Sequence, residues 1–173
     1  LLVAPTGAGK NEAALLPILS KMKVDDSGGI KLIYITPLRS LNRDLLDRIS
    51  WWASKLGLRV AVRHGDTPAS ERRAQSRSPP DILITTPETF QIVLNAKVLG
   101  RALRTVKWII IDEVHELAES KRGAQLWLNL EKLRTLYGVD PQLIGLSATV
   151  GSPERVASLL AGREREIDLI YVP

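Results

Sequence analysis

The chain has 173 residues, of which 45% are hydrophobic and 25% charged, a balance typical of one globular domain with its own core. Cysteine is absent, which excludes disulfides and thiolate metal sites and fits an intracellular location, in the cytoplasm or at the nucleoid; two histidines are too few for a histidine-rich zinc site. The net charge of +5 weakly favours a polyanionic partner such as nucleic acid, and no apolar run reaches the ~18 residues of a membrane span.

Short apolar runs alternate with longer amphipathic stretches along the chain. Several runs, such as Ile109-Ile110-Ile111, do not alternate with polar residues, which is typical of strands covered on both faces. Because strands that alternate with helices form parallel sheets, we predict an α/β domain with a mainly parallel sheet and helices on both faces. The predicted strands are residues 1–4, 31–36, 59–63, 81–85, 108–112, 142–147 and 166–172.

Between several of the predicted strands, apolar residues recur at the spacing of a helix. Residues 38–56 place apolar side chains three and four positions apart, with Trp52 on the buried side, whereas Trp51 is open to either core packing or base stacking. Residues 125–136 show the same pattern, and a further helix begins at Ser152-Pro153 with the serine as its cap. Polar turns are predicted at residues 25–29 and 76–80. Solvated positions are predicted for Arg43, Arg48, Arg72, Arg73 and Arg77.

A Gly-rich segment connects the first predicted strand to a helix that begins near Lys10. Gly7 and Gly9 let backbone N–H groups approach phosphate oxygens, the positive end of the helix dipole faces the same anion, and the Lys10 ammonium suits β- and γ-phosphates. A turn without a ligand is the alternative, but lysine directly after the second glycine, between strand and helix, favours a P-loop. The predicted ATP-binding residues are Pro5, Thr6, Gly7, Ala8, Gly9, Lys10 and Asn11.

Asn11 stands where a P-loop normally has Ser or Thr, whose hydroxyl binds Mg²⁺. The Asn carboxamide oxygen is also a hard ligand, but it lies one bond farther from the backbone. Three interpretations follow: a tolerated natural variant, an engineered change or a weakened ATPase.

Two carboxylates, Asp112 and Glu113, directly follow the apolar run Trp108–Ile111. Chemistry in open α/β sheets gathers at the carboxyl ends of strands, where Asp can hold Mg²⁺ through water and Glu can activate an attacking water. A polar loop is the alternative, because Asp and Glu are common in loops. The P-loop about a hundred residues upstream favours chemistry with ATP and Mg²⁺ as cofactors. The predicted catalytic residues are Lys10, Asp112 and Glu113, and the predicted metal ligands are Asn11 and Asp112.

With these elements in place, the chain resembles superfamily 2 helicases of the DEAD/DEAH group. The matching segments are residues 4–11 (motif I), 36–42 (motif Ia), 86–88 (motif Ic), 112–115 (motif II, here Asp-Glu-Val-His) and 147–149 (motif III, here Ser-Ala-Thr). Their order and spacing agree over essentially the whole chain, and residues 63–68, 112–117 and 146–151 most resemble the large-helicase-related (Lhr-type) family. The resemblance implies a RecA-like P-loop NTPase domain, the N-terminal one of two.

The resemblance also implies roles for single residues. His115, Ser147 and Thr149 would link the nucleotide state to nucleic-acid grip; the alternatives are helix capping by Ser147 and Thr149 and a plain loop position for His115. Nucleic acid would be held through its backbone, with little sequence specificity, and Asp66 would shape a turn of that surface. The predicted nucleic-acid-binding residues are Pro37, Arg39, Ser40, Gly65, Thr86 and Pro87, with a solvated charge as the alternative for Arg39.

Residues 1–173 are interpreted as one such domain. Because Leu1 already lies in a predicted strand, we expect upstream residues, including the segment that contacts adenine, and a second RecA-like domain that supplies arginine fingers. We therefore expect an ATP-dependent helicase whose isolated first domain is nearly inactive, with DNA as the preferred substrate and RNA as the other. A non-catalytic module disabled by Asn11, and a motor that translocates without unwinding, are the competing hypotheses.

Overall fold

The apolar runs form the strands of a single sheet, as a computed structural model of the chain shows. Residues 1–37, 40–41, 43–118, 120–148, 152–162 and 165–172 are described, so the predicted site residues Arg39 and Thr149 lie outside the described residues. Every recorded pairing is parallel, in the order β3-β4-β2-β5-β6-β1-β7. The strands are β1 (Leu2–Val3), β2 (Leu32–Ile35), β3 (Val60–Arg63), β4 (Ile82–Thr85), β5 (Trp108–Ile111), β6 (Gln142–Ser147) and β7 (Ile170–Tyr171).

All seven predicted strands are confirmed, and the last is much shorter than predicted. β7 pairs only with β1, at Leu2 opposite Ile170 and Val3 opposite Tyr171. Because its ladder is limited by the two residues of β1, the described residues 165–169 are not part of the strand. The all-parallel arrangement confirms the predicted α/β class.

Seven α-helices and a 3-10 helix at Leu99–Thr105 are described between the strands. None of the described helices is long and apolar enough to cross a membrane. The α-helices are α1 (Lys10–Met22), α2 (Arg43–Lys55), α3 (Ala69–Arg77), α4 (Pro87–Leu94), α5 (Val114–Leu117), α6 (Lys121–Tyr137) and α7 (Pro153–Ala161).

Two helix boundaries differ from the sequence predictions, and one predicted cap forms no hydrogen bond. The helix predicted from residue 38 is described from Arg43 onwards, and before it the Ser40 N–H donates to the Pro37 carbonyl at 2.9 Å. α6 begins before residue 125, because the Ser120 hydroxyl accepts from the Gly123 N–H at 3.0 Å and caps the helix. Ser152 does precede α7, but its side chain makes no capping hydrogen bond.

α3 was not predicted, and it corrects two expectations. Its sequence has no apolar periodicity, and Gln75 is its one buried residue, so the helical pattern gave no signal. Arg72, Arg73 and Arg77 therefore lie on a helix rather than in a solvated loop, and the predicted turn at residues 76–80 begins later.

The core lies on both faces of the sheet, as the unbroken isoleucine run predicted. Ile109 and Ile111 pack into the cluster that includes residues of α4, α6 and α7, whereas Ile110 packs with α1 and α2 on the opposite face. Each isoleucine is fully buried because successive side chains of a strand point to opposite faces. The helices therefore cover both faces, and the carboxyl ends of all the strands share one edge of the sheet.

Gly123 in the first turn of α6 lies against the end of α5. A Cβ at this position would come 1.8 Å from the Leu117 carbonyl oxygen, a backbone atom that cannot turn aside. We expect Gly123→Ala to lower the free energy of unfolding by roughly 1–3 kcal/mol or more, measured by urea titration. Gly28→Ala is the control, because no heavy atom lies within 4 Å of its Cβ position. Equal stability of both variants would contradict the close approach of α5 and α6.

Candidate functional site

The Gly-rich loop leads from β1 into α1 at the carboxyl edge of the sheet. Gly7 and Gly9 have φ angles of 82° and 79°, which residues with a side chain rarely adopt. Gly9 occupies the cap position of α1 without a capping side chain, so the first N–H groups of the helix remain directed at the cleft. The local geometry therefore matches the predicted anion cradle.

Lys10 is held in place by the loop itself. Its side chain is only 9% exposed, and its ammonium donates to the carbonyls of Ala4 at 2.8 Å and Pro5 at 2.9 Å. These two acceptors are neutral, so the lysine charge is hydrogen-bonded but not neutralised by them. The ammonium also lies close enough to Asp112 and Glu113 to lower the pKa of both carboxyls, against the larger effect of burial, which raises them.

Asp112 follows β5 and is only 5% exposed. One carboxylate oxygen accepts from the Tyr34 hydroxyl at 2.8 Å, and the other accepts from the Glu113 N–H at 2.9 Å. Burial raises the pKa of Asp112, and the hydrogen bonds from Tyr34 and Glu113 oppose that shift. Tyr34, a fully buried residue of β2, was not predicted from the sequence, because only the sheet pairing brings it to Asp112.

Glu113 has a strained backbone. With φ 49° and ψ 40°, it is the only residue other than glycine with a positive φ among those the structure describes. Such conformations persist where the surroundings hold them, and they cluster at functional sites. Burial and the neighbouring Asp112 charge raise the pKa of Glu113, which suits a group that takes up a proton.

The loop and the acidic pair line one cleft of about 620 Å³. It contains all the predicted catalytic residues and the predicted metal ligand Asn11, whereas Pro5 and Ala8 do not line it. It also contains Ser40, which was predicted to bind nucleic acid, and three residues not predicted there, the charged Glu12 and Arg48 and the apolar Leu45. The lining residues are Thr6, Gly7, Gly9, Lys10, Asn11, Glu12, Ser40, Leu45, Arg48, Asp112 and Glu113.

The residues of this cleft fit a hydrated Mg²⁺ bound with a polyphosphate. Asp112 is a buried carboxylate whose two oxygens each accept one hydrogen bond and retain a lone pair. Asn11 supplies a carboxamide oxygen in the same cleft. A second group of potential ligand atoms, on Glu113, His115 and Glu116, lies within 4.8 Å of one another beside it.

His115 connects the acidic pair to the end of β6. Its Nδ1 lies 3.0 Å from the Ser147 hydroxyl, and its Nε2 lies 3.4 Å from a carboxylate oxygen of Glu113. The Ser147 hydroxyl also donates to the Ala148 carbonyl at 2.9 Å. The expected alternative of helix capping by Ser147 is wrong, because α7 begins only at Pro153. His115 likewise has specific partners rather than a plain loop position.

The residues predicted to bind nucleic acid lie just after the ends of neighbouring strands. Thr36 donates its N–H to the Thr85 carbonyl at 3.0 Å, which holds the ends of β2 and β4 together. Thr86 caps α4, as its hydroxyl accepts from the Thr89 N–H at 3.3 Å. The side chains of Pro37, Thr86 and Pro87 are buried, Ser40 is half-buried and Gly65 is exposed. Contacts to phosphates at Thr86 and Pro87 would therefore come from the helix terminus rather than from exposed side chains.

The loop after β3 is shaped by residues other than the one predicted. Arg72 of α3 donates to the carbonyls of Gly65 and, at 2.7 Å, of Thr67. The Thr67 hydroxyl accepts from the His64 N–H at 2.9 Å. The Asp66 side chain is 88% exposed, and its carboxylate lies 3.9 Å from the His64 Nδ1. The turn is therefore held by the shorter hydrogen bonds of Arg72 and Thr67 rather than by the Asp66 carboxylate.

The two tryptophans of α2 have different environments. Trp52 packs against the core cluster that contains α1 and α2, as predicted. Trp51 is 59% exposed, and the Lys55 ammonium lies 5.4 Å from its ring centroid. Because most of its surface is exposed, Trp51 does not pack in the core.

Comparison with known proteins agrees with this geometry. The family model described as "DEAD/DEAH box helicase" matches residues 1–156. The chain belongs to the DEAD/DEAH box helicase family. It is 42% identical to the ATP-dependent helicase Lhr-Core of Saccharolobus solfataricus over 184 residues, covering 98% of this chain and 21% of the relative. It is 39% identical to the Lhr helicase/uracil glycosylase of Escherichia coli over 194 residues, covering 100% of this chain and 12% of that protein.

Solved structures of this family have the same fold. The helicase Lhr of Mycobacterium smegmatis, solved with single-stranded DNA and AMP-PNP, is 39% identical and superposes with a TM-score of 0.86, covering 99% of this chain and 23% of that one. The DEAD-box helicase Mss116, at 21% identity and a TM-score of 0.79, covers 98% of this chain and 36% of that one and shows the fold alone. The predicted RecA-like fold and the Lhr-type resemblance are confirmed, and the chain spans only about a fifth of the archaeal Lhr-Core relatives.

Asp112→Asn removes a buried charge while retaining an oxygen for the Glu113 N–H. Burial raises the pKa of Asp112 above its unfolded value, so its ionisation lowers stability as pH rises through the folded-state pKa. We expect the variant to melt on the order of a few degrees higher than the wild type at about pH 8. The gain should shrink as pH falls towards about 4, where the unfolded carboxyl is also protonated. A lower melting temperature at alkaline pH, measured by calorimetry, would contradict this account.

Proposed function

We propose that this chain is the first ATP-binding and ATP-hydrolysing domain of a nucleic-acid-dependent helicase that translocates on DNA and unwinds it. The observation that carries the proposal is the convergence of Lys10, Asp112 and Glu113 on one cleft, from the ends of two different strands. Neither a bare Gly-rich turn nor a polar loop after a core strand would require that meeting. RNA is the alternative substrate.

Each of these residues has a distinct task in hydrolysis. Lys10 leaves the Ala4 and Pro5 carbonyls and binds the β- and γ-phosphates, which the N–H groups of the glycine loop and α1 also hold. Asp112, through water, and Asn11 would hold the Mg²⁺, which would supply positive charge to the phosphates. Glu113 orients the attacking water and accepts its proton. The raised pKa of Glu113, due to burial and Asp112, favours that proton transfer.

The contacts of His115 support a role in coupling. It lies between Glu113 at the end of β5 and Ser147 at the end of β6, so a change at the γ-phosphate can reach the segment after β6 through a single side chain. We place Thr149 in the same role from its motif. A second RecA-like domain of the same protein closes on this edge and supplies arginine fingers, so the isolated chain binds nucleotide weakly and hydrolyses it very slowly.

Nucleic acid lies along the ends of β2, β3 and β4 in this proposal. The exposed Gly65 loop, the terminus of α4 and the net charge of +5 suit backbone phosphates, which carry little sequence information. DNA is preferred because the similar Lhr of Mycobacterium smegmatis was solved with single-stranded DNA and a relative in Pyrococcus abyssi, 37% identical, is named a DNA helicase. We also retain Arg39 and Ser40 as candidate contacts, from the motif they belong to.

The second candidate function is a non-catalytic module that binds nucleotide and nucleic acid. It rests on Asn11, which lines the cleft where the family pattern has a hydroxyl for the metal. A third possibility is a motor that translocates without unwinding.

Glu113→Gln tests the proposed reaction in the full-length protein that contains this chain. We expect single-stranded DNA or RNA to stimulate Mg²⁺-dependent ATP hydrolysis by the wild type, and the variant to lose roughly 10²–10⁴-fold of that rate while it still binds ATP. Glu71→Gln, on the exposed surface of α3, is the matched control. Nucleic-acid binding without any hydrolysis by a folded wild type would favour the non-catalytic module.

Asn11→Thr separates a tolerated asparagine from a disabling one. If Asn11 serves as a metal ligand, as we propose, the substitution should change kcat of the full-length protein by less than about fivefold, ~1 kcal/mol of barrier. A gain of about a hundredfold or more, near 2.7 kcal/mol, would show that asparagine weakens the site. The Mg²⁺ concentration at half-maximal activity, measured beside kcat, reports the ligand role directly.

A further inference from the structure

The structure contradicts the prediction that Arg48 lies on a solvated helix face. It projects from α2 into the cleft that contains Lys10 and Asp112. Its guanidinium forms an ion pair with Glu12 of α1 and a second one, at 3.2 Å, with Asp44 of its own helix. Its Nε is buried and has no hydrogen-bond partner among the described residues. One N–H donor of the guanidinium is thus without an acceptor among the described residues.

Glu12 lies where the phosphates are expected to bind. It is in the first turn of α1, directly behind the glycine loop, and its carboxylate lies 3.8 Å from the position of a Cβ on Gly9. The positive end of a helix dipole stabilises an anion there, whether a carboxylate or a phosphate. Glu12 therefore places a carboxylate where the helix terminus favours an anion.

A polyphosphate in this cleft changes the balance between these charges. It brings several negative charges close to the Glu12 carboxylate and repels it, while it competes with Glu12 for the guanidinium. The planar fork of arginine matches phosphate oxygens well, and the half-exposed pair with Glu12 is a weak partner by comparison, with side chains 40% and 30% exposed.

We propose that Arg48 is an additional polyphosphate-binding residue of the nucleotide site, paired with Glu12 before nucleotide binds and transferred to the phosphates when it does. The proposal rests on the proposed function, since it requires that nucleotide occupies this cleft. It gives the two charges opposite effects: Arg48 favours nucleotide binding, and Glu12 opposes it.

The transfer also links two helices to the nucleotide. Glu12 belongs to α1, which begins at the phosphate loop, whereas Arg48 belongs to α2, which follows the β2 end beside β4. Nucleotide binding therefore exchanges a contact between α1 and α2 for one between α2 and the phosphates. This connection links the nucleotide to the ends of β2 and β4, and it is separate from the connection through His115.

The test is the dissociation constant of a fluorescent ATP analogue with Mg²⁺, measured on the full-length protein. We expect Arg48→Gln to weaken binding by about tenfold, the loss of a charge-assisted hydrogen bond. Glu12→Gln should tighten it by about two- to fivefold, and the double variant should resemble Arg48→Gln. Arg43→Gln, exposed at the start of the same helix with the same loss of charge, should stay within about twofold.

Competition with inorganic tripolyphosphate locates the contact. Arg48→Gln should weaken the binding of tripolyphosphate by the same factor as the binding of the analogue, because the contact is to phosphates. If Arg48→Gln does not fold, judged by its urea midpoint, Arg48→Lys replaces it. This variant keeps the charge but not the fork, and we expect it to weaken binding by a smaller factor.

Two results would overturn the inference. If the Arg48 variants bind the analogue with unchanged affinity, Arg48 does not contact the phosphates. If Glu12→Gln weakens binding of the analogue, the ion pair only supports the structure. In both cases the wild type and Arg43→Gln still bind nucleotide, so the proposed function stands. Failure of the wild type itself to bind the analogue would overturn the proposed function and this inference together.

Discussion

Parallel pairing of buried strands is the constraint on which the site depends. Runs such as Ile109-Ile110-Ile111 must be covered on both faces, so each strand is followed by a crossover that returns the chain to the opposite edge. Every strand then ends at the same edge. This brings together the loop after β1, the acidic pair after β5 and Ser147 at the end of β6, although they are far apart in the sequence. This topology therefore places the predicted site residues at one edge of the sheet.

Charge in the cleft is arranged for a ligand rather than for stability. Burial raises the pKa of Asp112 and Glu113, so both carboxylates are costly to ionise, and Glu113 adds a strained backbone. Lys10 is hydrogen-bonded to neutral carbonyls rather than to a carboxylate. In our proposal, phosphates and Mg²⁺ bring the opposite charges that these groups require. In the same proposal, the cleft is a place where the fold gives up stability for ligand binding.

The sequence predicted what depends on local pattern. All seven strands, the glycine loop and the acidic pair follow from composition and spacing, because a buried strand or a phosphate loop is specified by neighbouring residues. It did not predict the hydrogen bond from Tyr34 to Asp112, the bracing of the Gly65 loop by Arg72, or Arg48 in the cleft. The contacts of Tyr34 and Arg48 join segments distant in sequence. Arg72 is close to Gly65 in sequence, but it lies on α3, which lacks the apolar periodicity that reveals a helix.

The most direct test of the account is a structure of this chain with Mg²⁺ and a non-hydrolysable ATP analogue. The account predicts the polyphosphate on the loop between β1 and α1, with the Lys10 ammonium moved from the Ala4 and Pro5 carbonyls to the phosphates and the metal between Asn11 and the waters on Asp112. A nucleotide bound elsewhere, or one bound in the cleft while Lys10 still donates to Ala4 and Pro5, would contradict the claim that these residues form one nucleotide site.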